Sequence, residues 1–309
     1  MKRQRCIPII MFLSIMLASC IDREAPVDKS KLLGYDFRLF QGTIAWNLAK
    51  AVEDEAINEI RYEVLSKKIP IDYKEDRFGG TLLMLAVLNN KKESVKALLE
   101  LGANPNEPND TIRNFGRNAV LCASKFSSSE ILKMLLEYGG DPNSVECGVQ
   151  RDNHDNWIPA RHFALYDAIS SEGDFEKVRI LVEAGADVNM QTEDTGEGAT
   201  IYCTYLHGRM DVMLYLLEHG ADYNHKFKMH NFDPPDYTFF YVDILYILRL
   251  CIYPLDSKEY KDKLKVIDFL RRRGMDYRKS PIPSRAIGVV KRKISPKNEE
   301  ELQEYLKRY

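Results

Sequence analysis

Five stretches of this chain end alike. Four run Leu98-Leu99-Glu100-Leu101-Gly102-Ala103-Asn104-Pro105-Asn106, Leu135-Leu136-Glu137-Tyr138-Gly139-Gly140-Asp141-Pro142-Asn143, Leu181-Val182-Glu183-Ala184-Gly185-Ala186-Asp187-Val188-Asn189 and Leu216-Leu217-Glu218-His219-Gly220-Ala221-Asp222-Tyr223-Asn224. The fifth, Phe269-Leu270-Arg271-Arg272-Arg273-Gly274-Met275-Asp276, is a weaker copy. Each reads as the apolar last turn of a helix, then a glycine free to take the left-handed conformation that ends it, then a polar turn. One helix ending repeated along a chain implies a solenoid, because each unit has an apolar face that only its neighbours can cover. Such a stack usually serves as a binding surface rather than a reaction vessel.

The first ending is preceded by Gly80-Thr81-Leu82-Leu83-Met84-Leu85-Ala86-Val87-Leu88-Asn89-Asn90. The Thr81 hydroxyl can cap a first helix. Leu83, Leu85 and Ala86 give that helix a narrow apolar face, and the small Ala86 lets neighbouring helices approach. Val95, Leu98 and Leu99 form the apolar stripe of a second helix, and Asn104-Pro105-Asn106 turns outward. This pattern resembles the ankyrin repeat, whose family phrase is G-x-T-P-L-H-L-A-A-x-x-G. Asn118-Ala119-Val120-Leu121-Cys122-Ala123, Phe163-Ala164-Leu165-Tyr166-Asp167-Ala168 and, less well, Ala199-Thr200-Ile201-Tyr202-Cys203-Thr204 align with Thr81 to Ala86. Thr81 alone among them is a good capping Thr, so the later first helices are expected to be less well capped. Gly42-Thr43-Ile44-Ala45-Trp46-Asn47-Leu48-Ala49 resembles an N-terminal capping repeat, and Asn298 to Tyr309 a C-terminal cap. The resemblance covers about residues 40–280. It implies an all-α ankyrin-repeat solenoid of helix-turn-helix units with hairpin fingers, about five or six repeats including caps.

The glycine-to-glycine spacings are 37, 46, 35 and 54 residues, against about 33 for an ankyrin unit. Extra residues cannot enter the stacked helices without breaking the shared core, so they belong in fingers and connecting loops. The first large insertion, 144–162, holds Arg151, His154, Asp155, Trp157 and Arg161. The second, 225–241, holds Phe227, His230, Phe232, Tyr237, Phe239, Phe240 and Tyr241. A smaller one, Pro254 to Tyr260, separates the two helices of the last repeat. The aromatic side chains of these loops either pack back on the solenoid or line a partner site; aromatic and Arg residues carry much of the energy at interfaces. Trp157 is the sharper case, because the polar stretch Arg151 to Arg161 offers it no periodic apolar neighbours.

The first residues carry a second pattern. Lys2, Arg3 and Arg5 precede an apolar run, Ile7 to Met16, too short for an ordinary spanning helix. Leu17-Ala18-Ser19-Cys20 then resembles the bacterial lipobox. The resemblance implies a signal peptide over 1–19, lipid on Cys20 and a tether over 20–39, with 40–280 as repeats and 281–309 as the C-terminal cap. The other reading is an uncleaved N-terminal anchor. Two or more acyl chains would hold the protein firmly at a membrane. Ile21, rather than Asp, follows the cysteine, which by the rule for enterobacteria-like cells points to the outer membrane, facing the periplasm.

Hydrophobic residues make up 45% of the chain, enough for a stacked core, and the net charge of −2 would fall to about −5 without the basic leader. That balance argues against nucleic acid as a partner. The run Lys291-Arg292-Lys293 reads as a solvated face. Cys122 and Cys203 share a register in their helices and are expected to be buried, as is Cys251, leaving Cys147 as the exposed thiol. No His-Glu-x-x-His, Cys-x-x-Cys, Gly-x-Ser-x-Gly or phosphate-binding glycine loop occurs, so catalysis, a metal and a cofactor are not expected. His219 sits at a helix end, where its basic ring suits the dipole.

The resemblance implies a non-catalytic protein, monomeric when unbound, that binds another protein through its concave side. The aligned positions there are Arg77, Phe78, Leu88, Asn89, Asn114, Phe115, Arg117, Lys125, Phe126, His162, Ser170, Ser171, Leu206 and His207, to which Trp157 is added from the first insertion. Two roles stay open: immunity against a secreted effector enzyme acting in the periplasm, such as a type VI phospholipase, or an envelope scaffold or stress-related partner of a resident periplasmic protein.

Overall fold

Apolar stripes of this width need a helix on each side, and the chain supplies helices in pairs. A computed structural model describes residues 22–152, 155–170, 175–191, 204–230 and 239–309. Cys6, Cys20, His154, Ser171, the aligned stretch up to Cys203, Phe232 and Tyr237 lie outside the described residues. The pairs are α1 (Trp46–Glu53) with α2 (Ile57–Leu65), α3 (Leu82–Leu88) with α4 (Lys92–Glu100), α5 (Ala119–Phe126) with α6 (Ser129–Glu137), and α7 (Ala164–Ser170) with α8 (Phe175–Glu183). Helical residues 204–206 then lead to α9 (Met210–Glu218), followed by α10 (Ile244–Leu250), α11 (Lys258–Arg271), α12 (Ser284–Lys293) and α13 (Glu299–Arg308). First helices α1, α3, α5 and α7 touch in that order, and so do second helices α2, α4, α6 and α8. Leu83, Ala86, Val95 and Leu98 are fully buried between them.

The repeated glycine does what the sequence implies. Gly102, Gly139, Gly185, Gly220 and Gly274 all have φ between +87° and +95°, a region that favours a residue without Cβ. The asparagine after each of the first three turns has a job that the periodic pattern did not reveal. The Asn106 side-chain amide donates to the Gly139 carbonyl (2.9 Å) and its oxygen accepts from Asp141 N (2.8 Å). Asn143 and Asn189 grip the next turn in the same way, accepting from Asp187 N (2.7 Å) and Asp222 N (2.8 Å). The turns are thus laced together along one edge.

Two expectations need correction. Capping of the later first helices is mixed rather than uniformly poor: Asn118 accepts from Leu121 N at 3.0 Å and Asp243 from Tyr246 N at 2.9 Å, and Asn and Asp cap at least as well as Thr, whereas Phe163, ahead of α7, has no capping oxygen. The insertions, expected in fingers and connecting loops, form hairpins. Val149–Arg151 (β1) pairs antiparallel with Trp157–Pro159 (β2), and Phe227–His230 (β3) with Phe239–Val242 (β4). Finally, residues 22–39, read as a tether, are docked on α1. Phe37, Leu39 and Phe40 are buried, Arg23 grips Asp54 with two 2.7 Å bonds, and Glu24 accepts from the Trp46 indole at 2.9 Å.

At the other end, Tyr260, Val290, Leu302, Tyr305 and Tyr309 form a second apolar cluster that joins α11, α12 and α13. Lys263 is wholly buried beside it, donating to the Cys251 carbonyl at 3.2 Å with the Tyr309 ring 3.3 Å away. Burial pulls the Lys263 pKa well below its ordinary 10.5. The unfolded chain therefore holds that proton more tightly, and stability falls as pH drops from about 10.5 towards the folded-state pKa. Lys263→Met removes this slope and is expected to stabilise by about 1 kcal/mol at neutral pH. The Cys251 carbonyl keeps the Tyr309 hydroxyl as donor. Thermal melts of both proteins across the alkaline range check it; a lower midpoint for the variant at every pH would refute the account.

Candidate partner-binding site

An acid occupies an apolar register. Asp167 aligns with Leu85 and Cys122, and the structure buries it completely. A buried carboxylate requires a cation and hydrogen bonds, and Arg117, just ahead of the α5 cap, supplies both. Its Nη2 donates to Asp167 Oδ2 and its Nε donates to Glu146 Oε1 at 2.7 Å. The three side chains are 11%, 0% and 2% exposed. Lys125 Nζ lies 3.6 Å and His162 Nδ1 3.8 Å from Asp167 Oδ1, an atom with no hydrogen-bond partner among the described residues. Burial pushes the Asp167 carboxyl pKa up, while Arg117, Lys125 and His162 pull it down. Glu146 also ties in the first insertion: its N donates to the His162 carbonyl (2.8 Å) and its Oε2 accepts from His162 N (3.2 Å).

This network forms one side of a concave cavity of about 350 Å³. Phe78, Met84, Leu88, Phe115 and Phe126 give it apolar walls, Cys122 lines it from α5, and Gly34 and Tyr35 close one edge. Phe115 is 44% and Phe126 57% exposed. The Phe126 ring is held by two cations, with Arg117 Cζ at 5.4 Å and Lys125 Nζ at 5.6 Å from its centroid. Burial pushes the Cys122 thiol up to about 12, so it stays protonated and is no nucleophile.

Eight of the residues expected on the concave side meet here: Phe78, Leu88, Asn114, Phe115, Arg117, Lys125, Phe126 and His162. The other described ones, Arg77, Asn89, Trp157, Ser170, Leu206 and His207, do not line this cavity. Arg77 donates to the Lys29 and Leu32 carbonyls and stacks on Phe78, fastening the segment before α1. Asn89 does similar work, donating to the Tyr35 carbonyl at 2.7 Å. Ser170 donates to the Asp167 carbonyl. Trp157 projects from β2 with one ring face 3.8 Å from the Arg151 guanidinium carbon and remains 49% exposed. His162 stacks on Tyr166 at 4.5 Å and Tyr166 meets His207 edge-on at 6.2 Å, so a track of rings leads from the cavity towards Leu206. Burial lowers the His207 pKa, helped by the charges of Arg209 and Lys125. Cys147 is exposed, and Cys122 and Cys251 are buried.

Periodicity missed Tyr35, Asn109, Glu146 and Asp167. Tyr35 falls in a stretch with no repeat signal. Asp167 could have been found from its misfit to the Leu85 register, a misfit that asks for a buried cation nearby.

Among the described residues no helix is long and apolar enough to cross a membrane, and no group of three or more His, Cys, Asp or Glu could hold a metal. No curated protein matches the chain. Residues 48–146 match the family model for ankyrin repeats in three copies, which marks a protein–protein interaction module. With its paired helices and left-handed glycine turns continuing to Gly274, the chain is an all-α ankyrin-repeat solenoid.

Proposed function

We propose that this protein binds another protein by admitting an apolar partner side chain into the concave cavity, and performs no chemistry of its own. The carrying observation is the pair Phe115 and Phe126, half exposed around an apolar hollow whose polar side is fixed by a buried ion network. Aromatic rings make low-entropy anchors for an interface, and the Phe126 ring is further held by Arg117 and Lys125. Phe115→Ala with Phe126→Ala is expected to weaken capture of the partner by about 2 kcal/mol or more, with little change in melting temperature because neither ring is in the core. A photo-crosslinker placed at Phe126 identifies the partner. Full affinity after removal of both rings would end this reading.

The same proposal places the protein at a membrane. Lipid on Cys20 would leave only a short span before the docked residues 22–39, so the solenoid would sit close to the bilayer, on the periplasmic side of the outer membrane. There the partner is a secreted effector enzyme that attacks the envelope, a phospholipase for example, and the binder is its immunity protein. Cys20→Ser should abolish incorporation of labelled palmitate in a bacterial host. An unlabelled wild-type chain would remove the tether and the location with it. An effector gene beside this one, whose toxicity co-expression suppresses, supports immunity over an envelope scaffold.

A further inference from the structure

The second insertion presents three rings that the concave cavity does not use. Phe239, Phe240 and Tyr241 follow one another on β4 and are 52%, 39% and 63% exposed. Successive side chains of a strand point to opposite faces, so β4 is apolar and exposed on both faces. Its neighbour β3 differs, with Phe227 and Met229 buried against the solenoid. The strand is also held in place. Phe240 meets the Tyr246 ring edge-on at 5.9 Å, Lys228 Nζ lies 3.8 Å from the centroid of Phe239, and Asp243, just after the strand, caps α10.

The outer edge of β4 is open as well. β3 pairs with one side of it, and among the described residues no other backbone group hydrogen-bonds to Phe239, Phe240 or Tyr241. Open edges recruit further strands, and proteins normally blunt them with a proline, a charge or a bulge. The first hairpin is blunted. Ala160 N donates to the Gly148 carbonyl and Asp152 N to the Asn156 carbonyl. By the alternation of antiparallel pairing, Gln150 and Ile158 then bond each other, while Trp157 and Pro159 turn their main-chain groups outward. Pro159 has no N–H to offer there. β4 reads Phe239-Phe240-Tyr241-Val242, with neither proline nor charge, and all four residues favour strands.

The backbone sets what can cover this edge. N–H and C=O groups of alternate residues face outward along it, a pattern matched by another strand about 4.8 Å away. The available area decides whose strand. With about 150–250 Å² for each aromatic side chain, the three exposures leave about 300 Å² in water. A stable dimer needs about 800 Å² from each copy, so the edge is too small to hold a second copy by itself. It suits the second contact of a partner already anchored elsewhere, for which the effective concentration is high. The hairpin and the segment carrying Phe115 hold the same place in their repeats, between a glycine turn and the next first helix. Both therefore lie along one edge of the stack.

We propose that β4 takes up an extended, uncharged segment of the protein partner, which adds a strand to the β3–β4 hairpin. Backbone pairing supplies the affinity. β-Branched or aromatic side chains, laid beside Phe239 and Tyr241 on one face and Phe240 on the other, supply the fit. The proposal rests on the protein-binding reading above and names the partner's second point of attachment.

The test uses the isotope-labelled full chain and a heptapeptide of alternating threonine and valine, with amide hydrogen exchange read by NMR. A twin peptide carries N-methyl groups on its central amides, which keeps the side chains and removes the donors. Saturating peptide is expected to slow exchange at alternate amides of Phe239–Val242 at least tenfold, and the twin to leave them unchanged. Phe239→Lys/Tyr241→Lys, which puts two charges on the edge, should weaken peptide binding at least tenfold; circular dichroism and an unchanged melting temperature confirm that this variant folds. Equal effects of peptide and twin would reduce the site to apolar contact, and no protection at millimolar peptide would mean that the edge does not pair; either overturns the assignment. Protection that appears without peptide as the chain is concentrated gives the edge to a second copy. Shielding of Phe239 and Tyr241 by phosphatidylglycerol vesicles, with the peptide ignored, gives it to lipid. Both results overturn the proposal too. Phe115→Ala with Phe126→Ala should not alter protection by the peptide. Failure of the protein-binding reading appears separately, as partner capture unaffected by that pair.

Discussion

Arg117→Met is expected to destabilise the protein by about 3–5 kcal/mol. The substitution keeps much of the side-chain volume but leaves Glu146 and Asp167, 2% and 0% exposed, facing each other without their shared cation. Lys125 and His162 remain, yet at 3.6 and 3.8 Å from Asp167 Oδ1 they make no hydrogen bond to it. One carboxyl must then take a proton. Its folded-state pKa climbs above the unfolded value, so the folded form binds more protons and stability falls as pH rises through that window. The deficit should therefore be larger at about pH 8 than at about pH 5. Urea unfolding at both pH values measures it. Adding Asp167→Leu, the side chain that Leu85 provides at the same register, should recover much of the loss by replacing a stranded charge with apolar packing. A single substitution that costs under 1 kcal/mol, or a double variant no better than Arg117→Met, would mean that the network contributes little to holding the repeats together.

The contrast between Leu85 and Asp167 also shows how much could be read from residues alone. Solenoid class, the helix pairs and the glycine turns were legible because each depends on local rules repeated many times: an apolar stripe, a cap, a residue free of Cβ. Eight concave residues could be placed together because alignment of repeats converts sequence position into a position on one face. What stayed hidden was pairing between units. Asn106 grips a turn 33 residues away, Arg117 reaches an acid 50 residues away, and Arg77 and Asn89 hold a segment about as far upstream. No periodicity encodes such contacts.

Gly148→Ala should have the second large effect, and through space rather than backbone conformation. A Cβ on Gly148 would stand 2.0 Å from the Asn114 carbonyl oxygen and 2.6 Å from Gly116 N, and one on Gly116 would meet Gly148 N at 2.5 Å. The two glycines let segment 114–116 lie flat against the start of the first insertion, with Gly148 N donating to the Phe115 carbonyl and Val149 N to the Asn114 carbonyl, both at 2.9 Å. The atoms that obstruct Gly148 are all backbone, so no side chain can swing aside. The two segments must separate, breaking those bonds and freeing Phe115 from the cavity wall. The expected loss is about 3 kcal/mol, with faster hydrogen exchange at Val149 N and partner capture weakened as far as in Phe115→Ala. Gly102→Ala is the control. Its added Cβ meets nothing within 4 Å, so only the φ of +94° opposes it, and a loss of about 1 kcal/mol with capture intact is expected. If the two variants behave alike, the insertion is not what positions Phe115. If Gly148→Ala alone loses both stability and capture, the hairpin is part of the binding surface even though its exposed Trp157 lies outside the cavity.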